Sequence, residues 1–530
     1  MKRSNILNTV FALAVTGMTL SSCNDFLDTM PDNRTTVNTE DKAKSMLVSA
    51  YPKNTYMLFC EYMSDNVDDY GENNPETDRF IDQVYNWQDV TEIDNDSPES
   101  YWEASYGAIA NANQALAAIN EMGADKNETL RQAKAEALLS RAYNHFMLTN
   151  IFCKNYNATT SSKDLGIPYM EGPETKLSPN YERGTVAEDY EKIARDLEEA
   201  LPLVGDANYT VPKYHFNVKA AYAFASRFYL YYEKWDKAAE YASLCLGSSP
   251  KSVLRDWSEV AKMTTSFEAE TQHYIDASLN SNLLLITAIS GVALAEGPYR
   301  YYSRYSHGNY VATYEDCKAT NLWGSYTAFY SRPHTYSATN LDRVLFYKLP
   351  YLFEYTDPVA KIGYYRTVYP AFTTDEVLLN RAEAYIMMKE YDKAAADLTT
   401  WMQNITTTKK VLTPEMVKSF YDGATYSYDD ASKMGSTVKK HLHPAFAIDK
   451  EGSVQESMLQ AVLGFRRIES MHTGLRWFDV KRYGIEIVRR VIGSDGKPAK
   501  LTDVLKTDDN RRAIQIPSKV LSTGFTPNPR

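Results

Sequence analysis

Trp235-Asp236-Lys237-Ala238-Ala239 returns later in the chain as Tyr391-Asp392-Lys393-Ala394-Ala395. The same 156-residue offset (391 − 235) brings Tyr229 onto Tyr385 and Leu230 onto Ile386. A large ring at the start of a helix wedges the preceding turn. The alanines behind it let two helices approach closely, so each copy predicts a helix–turn–helix unit. This is the pattern of a tetratricopeptide-like repeat. Two copies alone do not bury a continuous face, which needs about three or more.

Working outward, neighbouring segments supply further helices. Glu40 to Tyr51 has helical apolar spacing. Ser97-Pro98 is an N-cap followed by proline at the first helical position, and Trp102, Tyr106, Ile109, Ala112, Leu116 and Ile119 then form one stripe. A second long helix is predicted over 128–152. Thr185-Val186-Ala187-Glu188 is a capping box for a helix running to Leu201. Asn217 starts the helix that leads into the first repeat unit, and Thr373-Thr374-Asp375-Glu376 caps the one before the second. Residues 52–97 read as irregular. Residues 281–372 carry many rings among Gly, Ser, Asn and Pro, without a clean helical or strand period, and read as long loops over the helical scaffold.

The first 23 residues form a separate unit of meaning. Lys2 and Arg3 precede a mostly apolar run from Ile6 to Leu20, too short to span a bilayer, which ends in Leu20-Ser21-Ser22-Cys23. That ending resembles a bacterial lipoprotein signal, in which Cys23 is acylated and becomes the first mature residue. The expected plan is a signal peptide over 1–22, a tether over 23–39 and one domain over 40–530. Within that domain, 40–280 and 373–484 form the helical scaffold, 281–372 the loop-rich insertion and 485–530 a C-terminal segment.

Removing residues 1–22 takes away two bases and no acid, moving the formal charge from −11 to −13. An acidic body argues against non-specific nucleic-acid binding and against an electrostatic grip on anionic lipid. Cys60, Cys153, Cys245 and Cys317 lie far apart with no CxxC pair, so buried free thiols are expected and zinc-ligand spacing is absent. His441-Leu442-His443 is a close pair without a third ligand nearby, and the acidic 89–96 stretch reads as a solvated loop. No metal and no cofactor are expected.

Tyrosine is the unusual component: 41 Tyr stand against 19 Phe and 7 Trp. A chain that needed only core volume could use Phe. Tyrosine adds a polar tip to a flat apolar face, which suits half-wet packing and binding surfaces.

Arg466-Arg467-Ile468-Glu469 followed by Gly474-Leu475-Arg476-Trp477-Phe478-Asp479-Val480-Lys481-Arg482-Tyr483-Gly484 resembles the hallmark of the SusD-like, or RagB-like, family of surface nutrient-binding lipoproteins. The family places a glutamate before the first of these glycines, where this chain has Thr473. Ile109-Ala110-Asn111-Ala112-Asn113, the stretch from Ala135 to Tyr143, Gly166-Ile167-Pro168 and the ending around Asp508–Arg512 and Pro527–Pro529 match in order. The resemblance implies a mostly α SusD-like fold. It also implies a lipid-anchored protein on the outer face of the outer membrane that binds a glycan and caps a SusC-like TonB-dependent transporter. Uptake of a peptide or other nutrient is the alternative, and a glycoside hydrolase a more distant one, since no catalytic motif selects a pair of carboxylates.

Sugars offer apolar C–H faces for rings and hydroxyls for Asn, Asp, Gln and Arg. Two stretches have that mixture, and in the resembling family they contribute ligand contacts. Candidate ligand residues are therefore Trp87, Asp68 and Arg79 from the first, and Trp323, Tyr299, Tyr302 and Tyr326 from the second. Arg476, Trp477 and Asp479 read as a fold-locking helix with a buried Arg–Asp arrangement.

Overall fold

The computed structural model describes residues 37–175 and 181–530. The signal peptide, Cys23 and most of the tether lie outside the described residues. Thr39–Arg530 is one compact unit.

The capping chemistry works as the sequence dictates. Helices α1 (Glu40–Leu47), α2 (Met57–Met63), α3 (Arg79–Tyr85), α4 (Pro98–Met122), α5 (Glu128–Phe152) and α6 (Val186–Ala200) form the first half. Ser97 caps α4, and the Thr185–Glu188 capping box at α6 is closed in both directions. α7 (Val218–Tyr231) and α8 (Trp235–Leu246) are the first repeat unit; α9 (Thr374–Met387) and α10 (Tyr391–Ile405) are the second. α4 packs on α5, α5 on α6, α7 on α8, and α9 on both α8 and α10. α11 (Pro414–Asp422), α12 (Val454–Glu469) and α13 (Arg476–Arg482) complete the stack, with α12 against α9.

The two repeat units match in detail. Each turn holds a residue in the left-handed region, Glu233 (φ 59°) and Lys389 (φ 62°), at the same repeat position. Each turn closes through the same backbone bond, Lys234 N to Tyr229 O (2.9 Å) and Glu390 N to Tyr385 O (2.8 Å). Each sets a lysine ammonium over the equivalent ring, Lys237 at 4.7 Å from Tyr229 and Lys393 at 5.3 Å from Tyr385.

Two expectations need correction. Residues 52–97 contain α2 and α3, and every residue of α2 is buried. A helix covered on all sides has no polar face, so it shows no stripe. Residues 281–372 are not mainly loops. Strands β2 (Asn282–Ile289), β6 (Leu352–Asp357) and β7 (Ile362–Thr373) form an antiparallel sheet in the order β2-β7-β6. β4 (His334–Ala338) and β5 (Leu341–Leu345) form a hairpin. β2 is covered on both faces along most of its length, which removes the alternation that marks a half-buried strand. A further sheet joins β1 (Asp68–Asp69), β3 (Tyr305–Ser306), β8 (Ile487–Ile492) and β9 (Pro498–Leu505) in the order β3-β1-β8-β9.

The C-terminal motif clasps the early chain through buried charge. Arg476 does not pair with Asp479; its guanidinium forks onto Asp65 at 2.8 and 2.9 Å. Asp479 accepts from Arg466 at 2.9 Å. Glu315 accepts from Arg467 (3.0 Å), Lys440 (2.7 Å) and Arg490 (2.7 Å). Asp68 accepts from Arg490 at 2.9 Å. Buried charges survive only when paired in this way. Cys60, Cys153, Cys245 and Cys317 are buried free thiols. Among the described residues, no helix is long and apolar enough to cross a membrane.

Candidate functional site

The antiparallel hairpin β6–β7 builds a row of rings. Phe353 lies opposite Tyr365 in the register, so both side chains share one face of the sheet. Their centroids are 5.4 Å apart. Tyr355, two residues along β6, falls on that same face at 4.9 Å from Phe353. Gly363, its partner on β7, leaves room that a Cβ would fill: such an atom would lie 2.0 Å from Glu354 O and 2.8 Å from the Phe353 ring.

The row continues beyond the hairpin. Tyr351 lies 5.6 Å from Tyr365, Tyr299 lies 6.1 Å from Tyr351, and Phe267 lies 5.8 Å from Tyr299. Phe267 then meets Tyr347 at 5.2 Å, and Tyr347 stacks on His334 at 3.8 Å. The rings at the hairpin end stay open to solvent: Tyr355 is 54% exposed, Tyr351 and Tyr365 each 38% and Tyr299 36%. Such a run of partly exposed rings on one surface is unusual for a chain that has no use for it. Tyr301, also exposed, sits beside the row, and the Tyr302 hydroxyl donates to the Tyr301 oxygen at 3.1 Å. Burial, then hydrogen bonds to Tyr301 and Asp78, keep the Tyr302 phenol protonated far above the usual range.

The segment that leaves β2 is tied to the scaffold by Asp96. Its carboxylate accepts from the Ser290 hydroxyl and from Gly291 N (2.7 Å), just past the end of β2. Burial raises its pKa to about 6 against the pull of those two bonds. The expected solvated loop over 89–96 is therefore anchored at its end, and Asp89 pairs with Arg530 at 2.7 Å.

The structure brings together only part of the sequence-derived set. Tyr299 belongs to the row. Tyr302 borders it, and Arg79 follows Asp78, with its exposed side chain 3.5 Å from Glu92. Tyr326 lies elsewhere, half-buried, with Lys318 5.9 Å from its ring. Trp87 is 3% exposed: its indole N–H donates to Met63 O at 2.9 Å, and Arg489 sits 4.2 Å from its ring. Trp323 is 4% exposed and packs on Phe329 and Phe465 at 5.4 and 5.5 Å. Neither indole presents a face to a ligand, and Asp68 is spent on Arg490. Tyr351, Phe353, Tyr355 and Tyr365 were missed in the sequence. Their signal is the period-two spacing Tyr351-x-Phe353-x-Tyr355, which places three rings on one face of a strand.

Two cavities flank the α4 region. One, of about 790 Å³, is mainly apolar and lined by Trp102, Tyr106, Ile109, Met170, Tyr181 and Phe525. The other, of about 780 Å³, is more polar, with Lys53, Asn54, Asn111, Tyr214, His215 and Arg366 at its walls.

Residues 25–230 match a SusD-like family model described as starch-binding and associating with the outer membrane. Among curated proteins none matches. The fold is similar to that of a SusD superfamily protein from Bacteroides thetaiotaomicron (18% identity, TM-score 0.60, covering 93% of this chain and 100% of that one). It is also similar to a SusD-like carbohydrate-binding protein from Bacteroides vulgatus (14%, TM-score 0.59, 92% and 97%). A laminarin-binding SusD-like protein aligns at 16% identity, TM-score 0.51, over 93% and 99%. With the family model matching its N-terminal part and this fold running over nearly its whole length, the chain has a SusD-like fold and is similar to SusD-like proteins.

Proposed function

We propose that this chain is a non-catalytic, outer-membrane-associated lipoprotein that captures a glycan and hands it to a TonB-dependent transporter. The row from Tyr355 to Tyr299 carries the reading. Flat rings on a strand-held surface match the C–H faces of successive sugar units, and the phenol hydroxyls can bond the sugar hydroxyls at the edges. The family description and the carbohydrate-binding relatives support the ligand class. The Leu20–Cys23 signal supports the anchor, and the family resemblance supports the transporter as partner.

A panel of polysaccharides tested by calorimetry against the Asn24–Arg530 form, which carries the whole compact unit, checks the ligand class. Binding of at least one glycan without release of products is the expected result. Binding of peptides with no glycan bound would overturn the ligand class, and released products would overturn the non-catalytic role. Cys23→Ala should give a folded protein that fails to stay with the outer membrane. Retention there would remove the anchor.

A further inference from the structure

Three segments far apart in sequence meet in the core around Glu61, Glu296 and His472. Glu61 lies on α2, Glu296 follows the short helix Val292–Ala295, and His472 lies in the turn between α12 and α13. One donor atom from each lies within 4.8 Å of the others, and all three residues are buried.

Their hydrogen bonds leave unused capacity. Glu61 accepts from Asn66 Nδ2 (2.8 Å), His472 N (3.0 Å) and Gly474 N (2.9 Å), three bonds among about four acceptor sites. Glu296 touches His472 Nδ1 through one oxygen at 2.8 Å, and the Tyr62 hydroxyl faces the same carboxylate. His472 Nε2 has no partner. The neighbouring Arg343 gives its two terminal nitrogens to carbonyls, Gly297 O (2.9 Å), Tyr301 O (2.6 Å) and Ala295 O, and its Nε has no partner. His307 pairs with Asp316 at 3.2 Å.

A separate side chain points to the same place. The Tyr62 hydroxyl is fully buried and faces the Glu296 carboxylate. The buried His472 Nε2, left unpaired beside two carboxylates, calls for an occupant.

We propose that Glu61, Glu296 and His472 form a structural site for a divalent first-row cation, zinc in the first instance. One imidazole nitrogen and two carboxylate oxygens are a donor set zinc accepts. The cation would neutralise two buried carboxylates and staple α2 to the motif turn. Absence of CxxC or HxxxH spacing gave no hint of it, because the ligands are separated by 235 and 176 residues (296 − 61, 472 − 296).

The test uses the Asn24–Arg530 form without an affinity tag. The protein is stripped with chelator, loaded with Zn²⁺ or Co²⁺, desalted and analysed for metal content and for the visible absorption of protein-bound cobalt. About one ion per chain is expected, with cobalt bands of a low-coordinate site and a raised melting temperature. Glu296→Gln and His472→Gln should each weaken zinc binding by at least about tenfold. A folded parent chain that keeps neither ion would overturn the proposal. Equal retention by folded variants would do the same, marking an adventitious ion only. Should the variants not fold, metal content and the cobalt spectrum of the parent chain still decide.

Discussion

Arg476 and Asp65, 411 residues apart, form a buried two-pronged ion pair with contacts of 2.8 and 2.9 Å. Burial opposes the Asp65 charge, but the Arg467 and Arg476 guanidiniums hold its carboxyl well below the usual range. Removing Asp65 strands the Arg476 charge, and removing Arg476 leaves Asp65 without its two-pronged partner, with Arg467 at 3.4 Å. Arg476→Ala or Asp65→Ala should therefore cost about 3–5 kcal/mol in urea unfolding. Arg476→Lys should recover only part of this, since an ammonium cannot fork. Loss below 1 kcal/mol in both alanine variants would show the pair to be dispensable.

Stability should fall as pH rises from 5 to 8. Burial raises Asp189 to about 7, against bonds from Ile167 N and the Thr149 hydroxyl; Asp375 is also raised to about 7, by burial and then Glu469. A folded pKa above the unfolded value of ~3.9 means that the folded chain holds protons the unfolded chain releases. Their contribution is complete below about pH 4 and lost as pH rises through 7. Glu383 acts oppositely: Arg482 and Arg466 overcome burial and lower it to about 2, so its contribution is lost as pH falls from about 4 to 2. The urea midpoint should thus peak in mildly acidic buffer. Asp189→Asn should flatten the limb above pH 5; an unchanged limb would remove Asp189 as its source.

Tyr351→Ala, Tyr355→Ala and Tyr365→Ala should each weaken glycan binding by about 0.5–1.5 kcal/mol, a few-fold to tenfold in affinity. Their exposure should leave the melting temperature nearly unchanged. Trp87→Ala and Trp323→Ala should instead destabilise the fold by about 3–5 kcal/mol. Calorimetry and thermal unfolding on the same five proteins separate the two groups. Affinity that survives all three tyrosine changes would dismiss the row as the site.

Gly363→Ala should disturb the row without touching a ring face. The added methyl carbon would meet Glu354 O and Phe353, forcing β6 and β7 apart near Tyr355. Weaker glycan binding with the helical circular dichroism retained is the expected pattern; full affinity would show that the hairpin spacing does not matter.

The helical half of this fold was legible because caps and repeats are local chemistry: Ser97, Thr185, Asn217 and Thr373 all cap where the sequence places them. β2 and α2 were not, because burial on every side erases the pattern that marks a face. The same cause misdirected the site. An indole suits a sugar equally well from the sequence, but whether Trp87 faces a ligand or Arg489 depends on strand β8, some 400 residues away. The row itself was half visible: Tyr299 was singled out, while the alternating rings of β6 lay inside a stretch read as loop.

The clasp between the first hundred residues and the motif has a temporal meaning. Asn66, Asp65 and Glu61 each find partners among residues 467–476, near the end of the chain. A ribosome must therefore finish nearly the whole polypeptide before the earliest part of the core can close. Contacts of such long span also make closure slow. Residues 467–476 thus act as a latch, and closure of this part of the core waits for them.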